Sequence, residues 1–85
     1  MDLTELLAES LRRMRKEAGL SQVEMAKRLR ISRPTLNRLE SASQNTTLKT
    51  LNQLCRVLRC DIGDLFRGEV KLRAPRRPGS GILRR

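Results

Sequence analysis

The chain has no histidine, no tryptophan, no tyrosine and one phenylalanine, Phe66, among its 85 residues. Without histidine it lacks the side chain that most often serves as general base or metal ligand near neutral pH. Glu24 and Glu40 could suggest a paired-carboxylate site. A capping role accounts for Glu24, however, and Glu40 fits a bond within its own domain. The chain also lacks a Gly-rich phosphate loop and a nucleophile beside a base, so we expect no enzyme, no catalytic residue and no cofactor. The missing aromatics remove the platforms on which single-strand and RNA readers stack bases. A structural RNA-binding protein is therefore disfavoured, and double-stranded DNA becomes the preferred polymer.

Cysteine is nearly as scarce, with only Cys55 and Cys60. No third cysteine or histidine completes a zinc set, so no metal site is expected. On a continuous helix the two Cα atoms would stand roughly 8 Å apart, beyond disulfide reach, and both read as small core hydrophobes. No apolar run approaches the ~20 residues of a membrane span. The opening "MDLTELLAESLRRMRKE" carries acids early and has no apolar signal region, which points away from a signal peptide. The expectation is a cytoplasmic, nucleoid-associated chain without a membrane partner.

Acidic residues are few: 9 Asp and Glu against 19 Lys and Arg, a formal charge of +10. Such a field attracts polyanions. The candidates are nucleic acid, an anionic membrane face or an acidic protein, and charge alone does not choose among them. Seven of the basic residues and one acid fall after Phe66, in "RGEVKLRAPRRPGSGILRR". Its prolines and glycines read as a mobile linker, with a possible short strand at 69–73. We therefore divide the chain into a domain at 1–66 and a basic tail at 67–85. The tail could follow DNA phosphates, order on a partner protein, or stay disordered.

Leu3, Leu7, Leu11, Met14 and Ala18, widened by Leu6, have helical spacing. Asp2 with Glu5 stands as a capping box at the start, and Gly19 suits the end. Ser21 with Glu24 is a second capping box, predicting a helix from Gln22 to about Leu29 with Val23 or Met25, Ala26 and Leu29 inward. Ser32 or Arg33 caps a third, with Pro34 in its first turn and Leu36 and Leu39 inward. Thr47 caps a fourth helix with an apolar stripe of Leu48, Leu51, Leu54, Cys55 and Leu58. Asp61 with Asp64 caps a final turn, in which Ile62, Leu65 and Phe66 close the core. Arg12, Arg13, Arg15 and Lys16 could face DNA, but read more simply as the solvated side of the first helix. The fold class is thus all-α, with five helices and a basic, flexible tail.

The second and third helices, joined by a tight turn, form a helix-turn-helix. Ala26 is small enough to let their backbones approach. The outer edge of the third helix carries Arg33, Thr35, Asn37 and Arg38. Arginine can bond guanine O6 and N7, asparagine can bond adenine N6 and N7, and a threonine methyl can meet that of thymine.

The segments "GLSQVEMAKRLRISRPTLNRLE" and "NTTLKTLNQLCRVLRCDIGDLF" resemble the Cro/phage-repressor type of helix-turn-helix domain, the XRE family, from about Leu11 to Phe66. The resemblance implies a lambda-repressor-like fold. It also implies base contacts from Arg33, Pro34, Thr35, Asn37 and Arg38, and phosphate contacts from Gln22, Arg30, Asn45, Thr46 and Thr47. Arg30 stands where the family usually has glycine, and Ala42 and Thr46 replace a common glycine and proline. The function implied is a transcriptional regulator that binds double-stranded DNA as a homodimer, most simply a repressor on a palindromic operator. Alternatives within this class are an antitoxin that binds its toxin through the tail and represses its own operon, and a restriction–modification controller.

Overall fold

The computed structural model describes residues 2–43 and 46–72. Five helices follow in chain order: α1 (Leu3–Ala18), α2 (Gln22–Leu29), α3 (Arg33–Ser41), α4 (Leu48–Leu58) and α5 (Ile62–Arg67). There is no strand among the described residues.

The helix starts are set by side chains that satisfy first-turn amides. In α1, Glu5 N–H donates to Asp2 Oδ1 (3.0 Å) and Asp2 N–H to Glu5 Oε1 (3.1 Å). In α2 the reciprocal pair is Ser21 N–H to Glu24 Oε1 (2.8 Å) and Glu24 N–H to Ser21 Oγ (3.1 Å). Ser32, not Arg33, caps α3 by accepting from Thr35 N–H at 3.2 Å. Arg33 and Pro34 are therefore the first helical residues, in the turn where proline's missing donor costs no helical bond. Thr47 and Asp61 accept from Thr50 N–H (3.1 Å) and Asp64 N–H (2.8 Å) to start α4 and α5.

The turn of the α2–α3 pair is made by Arg30 in the left-handed conformation, φ 59° and ψ 43°. Arg30 N–H reaches back to Lys27 O at 3.2 Å and Ile31 N–H to Ala26 O at 3.1 Å, which folds Ile31 onto the core. A non-glycine residue there costs roughly 1 kcal/mol. Gln53 of α4 opposes that cost. Its Nε2 donates to Leu29 O (3.2 Å) and Arg30 O (2.8 Å), satisfying carbonyls that the helix end leaves open. Ala42, where the family commonly has glycine, is also left-handed, with φ 57°.

The core is built from Leu7, Leu11, Met14, Leu20, Met25, Ala26, Leu29, Leu36, Leu39, Leu54 and Leu65. Four expected inward residues depart from it. Leu3 is 69% exposed, Leu48 83%, Ile62 48% and Val23 46%, so Met25 is the inward member of its pair. Leu3 and Leu48 are the first residues of α1 and α4. Ser10 is buried instead, its Oγ donating to Leu65 O at 2.6 Å and fastening α5 to α1.

The corner between α4 and α5 alters the cysteine geometry. The helix stops at Leu58, left-handed Arg59 turns the chain, and Cys60 N–H returns to Cys55 O at 3.1 Å. The continuous-helix separation does not apply here. Both thiols are free and pack half-buried against the core. Burial, then the neighbouring Cys55, pushes the Cys60 thiol up to about 11.

Order also extends beyond the expected boundary at Phe66. Gly68, at φ 69°, turns the chain where any Cβ would lie 2.9 Å from Ser10 Oγ. Val70 and Leu72 then pack against the core. Residues 69–72 form no strand, and the remainder of the tail lies outside the described residues.

Candidate nucleic-acid interface

The third helix is short, and a helix of this length is marginal unless packing holds it. Leu36 and Leu39 supply that packing from one face, buried under α1 and α2. On the opposite edge Arg33, Pro34, Asn37 and Arg38 are all exposed. Neither arginine has an acidic partner among the described residues. Thr35 is half-buried, and its hydroxyl bonds the Ser32 cap at 2.8 Å. Arg33, Pro34 and Asn37 line a shallow depression together with Gln22 from the start of α2.

Behind this edge lies Glu40, only 4% exposed. Its carboxylate accepts from Arg15 Nε at 2.9 Å and from Gln22 Nε2 at 3.1 Å, while its backbone carbonyl accepts from Arg12 Nη1. Arg15 also donates to Leu20 O at 3.2 Å. A buried charge must be paired and hydrogen-bonded to be tolerated, and here α1 and α2 supply both. The basic run of α1 is thus not simply its solvated side. Arg12 and Arg15 clamp α3, and Arg13 donates to Arg67 O at 2.6 Å at the end of α5. Lys16 alone of the four is exposed without such a bond.

The residues expected at phosphates are placed unequally. Gln22 directs its side-chain nitrogen inward, to Glu40 and, at 3.5 Å, to Asn37 Oδ1. The Thr46 hydroxyl is buried, with no hydrogen-bond partner among the described residues. Thr47 is exposed and caps α4, its hydroxyl accepting from Thr50 N–H at 3.1 Å. Asn45 lies outside the described residues. Arg30 is exposed and shares an open groove with Lys49, Asn52, Gln53, Arg56 and Val57 of α4. Arg30, Lys49 and Arg56 have no acidic partner among the described residues and form a positive flank beside the turn. Lys49 and Arg56 were not expected at a site. Their spacing of seven on the polar side of α4 was the available signal.

A helix-turn-helix family profile matches residues 11–65, a span that begins inside α1 and ends at the last buried leucine of α5. This chain belongs to the XRE/Cro-type helix-turn-helix family. Its structure is similar to that of the clp gene regulator ClgR from C. glutamicum, with a TM-score of 0.65 and 26% identity. That similarity covers 80% of this chain and 87% of ClgR. No curated protein matches the sequence. Family membership and fold together make the chain a DNA-binding transcriptional regulator. Among the described residues no helix is long and apolar enough to cross a membrane.

Proposed function

We propose that this helix-turn-helix regulator reads a specific sequence in the major groove of double-stranded DNA, acting as a homodimer that represses by occupying a palindromic operator. The observation that carries the reading is the exposed edge of α3. Among the described residues Arg33 and Arg38 have no ion pair, and with Asn37 they stand exposed on a helix that is clamped from behind. Arg33 and Arg38 supply paired donors for guanine, Asn37 reads the base between them, and Pro34 contributes shape without a backbone donor. Thr35, tied to the cap, offers its methyl group. The N-terminal amides of α2 and α4, with Thr47, approach phosphates, and Arg30, Lys49 and Arg56 follow the backbone beside them.

One such domain touches too few base pairs to define a site in a genome, and two-fold pairing doubles them. Ile62, half-exposed on α5, and the adjoining Phe66 offer apolar surface for that pairing. Selection of bound sequences from random duplex DNA tests the whole reading. It should return a motif of two inverted half-sites about 10 base pairs apart, centre to centre. Recovery of no motif would refute it. Five arginines follow Leu72, at 73, 76, 77, 84 and 85. Truncation after Leu72 keeps the packed segment and should weaken binding to all sequences alike while flattening its salt dependence.

A further inference from the structure

The two cysteines stand at either end of the turn that closes α4. Arg59 N–H returns to Arg56 O at 3.3 Å and Cys60 N–H to Cys55 O at 3.1 Å, with Arg59 left-handed between them. In a helix end of this kind the residue after the left-handed one packs on the residue five before it. Here both members of that contact are cysteines. The Cys60 N–H bond also limits their spacing. With the covalent arms on either side of it, the two Cα atoms stand at most about 7 Å apart at full stretch. A bent path shortens that into the disulfide range of roughly 4.4–6.8 Å. Both side chains pack half-buried against the same core, so neither is sealed from a small reagent. Burial first, then Cys55, with smaller effects from Asp64 and Asp61, raises the Cys60 thiol. The pair is thus close enough for one thiol to act on the other.

We infer that Cys55 and Cys60 form a site of reversible oxidation, closing to an intramolecular disulfide that locks the corner between α4 and α5. The oxidant is a low-molecular-weight disulfide of the glutathione type. Cys55 loses its proton to solvent and attacks one sulfur of that disulfide, which forms a mixed disulfide and releases one small thiolate. Cys60 then loses its proton, attacks the Cys55 sulfur and expels the second small thiolate. The two thiolates take up the two protons, so two protein thiols are oxidised and one small disulfide is reduced to two thiols. The raised Cys60 thiol slows the closing step but leaves the equilibrium at pH 7 unaltered. At that pH it is protonated whether it ionises near 9.0 or about 11. The bond fixes the junction between the helix that carries Lys49 and Arg56 and the helix that carries Ile62 and Phe66.

The experiment equilibrates the full chain at pH 7 with mixtures of reduced and oxidised glutathione, once folded and once in urea. Acid quenching and mass spectrometry then read the products. The folded chain should lose two hydrogens and carry no glutathione. Its exchange equilibrium should favour the internal disulfide about tenfold more than that of the urea-unfolded chain, because only the fold holds the two sulfurs together. Dithiothreitol should return it to its starting mass. Cys55→Ser and Cys60→Ser should each take up one glutathione and form no internal bond. Equal equilibria in the folded and unfolded chains would overturn the inference. So would glutathione adducts on wild type in place of the internal bond, or chains joined to one another. By linkage, the same factor should appear as a higher urea midpoint for the oxidised chain. A midpoint that falls on oxidation would show that the corner does not accept the bond, and would overturn the inference as well.

Discussion

The first and third helices both carry arginines in quantity, and they use them in opposite ways. On α1, Arg12, Arg13 and Arg15 each find a carbonyl or carboxylate on another element. On α3, Arg33 and Arg38 find no acid among the described residues and stand exposed. Residue type is the same in both. What differs is whether an acceptor lies across the contact. Glu40 draws Arg15 inward, and the α3 edge has no such group to draw its own arginines down. A basic helix is therefore a binding surface only where the fold leaves its charges unmatched.

This contrast can be broken in order of effect. Arg15→Ala leaves a buried carboxylate with one amide partner and should cost about 3 kcal/mol or more of stability. Urea unfolding reads that loss, and an unchanged midpoint would mean that Arg15 belongs with the solvated charges. Arg38→Ala should do the reverse. It should leave stability within about 0.5 kcal/mol while removing about 1–3 kcal/mol of binding to the preferred duplex and relaxing one base pair. Arg33→Ala should behave in the same way at a neighbouring pair. Equal losses of stability from Arg15→Ala and Arg38→Ala would erase the distinction.

Arg30 lies between these cases, since it is strained by the fold and also exposed. Arg30→Gly should relieve about 1 kcal/mol of left-handed strain and reduce the salt slope of DNA binding by about 1. A variant that gains stability without changing that slope would place Arg30 outside the interface. The smallest effect is at Cys60. Its thiol is raised from 9.0 to about 11, so the folded chain holds this proton more tightly than the unfolded chain. The stability it contributes is intact below pH 9 and is lost as pH rises toward 11. Cys60→Ser should remove that alkaline component, seen as a urea midpoint that no longer falls across this interval.

Most of the fold could be read from the chain because its signals are local. Two capping boxes, the Ser32, Thr47 and Asp61 caps and the leucine spacings each act within a turn, and all five helices begin where those caps stand. The misreadings came from contacts distant in sequence. Leu3 and Leu48 fit their stripes but stand exposed at the first position of their helices. Ser10 meets Leu65 across 55 residues, and Gln53 meets Arg30 across 23. Periodicity cannot register such pairs. The alternation of Val70 and Leu72 suggested a short strand, and the structure packs both against the core without one.

The exposed edge of α3 was legible for the same local reason, since Leu36 and Leu39 fix which side of α3 faces out. The fate of Gln22 was not. Its position at the start of α2 suggests a phosphate contact, and only the buried carboxylate of Glu40, reached through the third dimension, turns its amide inward. Arg30 was expected at a phosphate and Lys49 and Arg56 share the polar side of α4, but their joining into one flank was not legible, because a left-handed turn and a separate helix must meet to form it.

The central claim, that the outer edge of α3 enters the groove of duplex DNA, is tested most directly by mapping nuclear magnetic resonance shifts on the full chain as a selected duplex is added. The largest changes should fall on Arg33, Asn37 and Arg38, with backbone changes at Gln22 and Thr47 and little change at Arg15 or Leu65. Strong shifts confined to α1 or α5, with Arg33 and Arg38 unmoved at saturation, would contradict it.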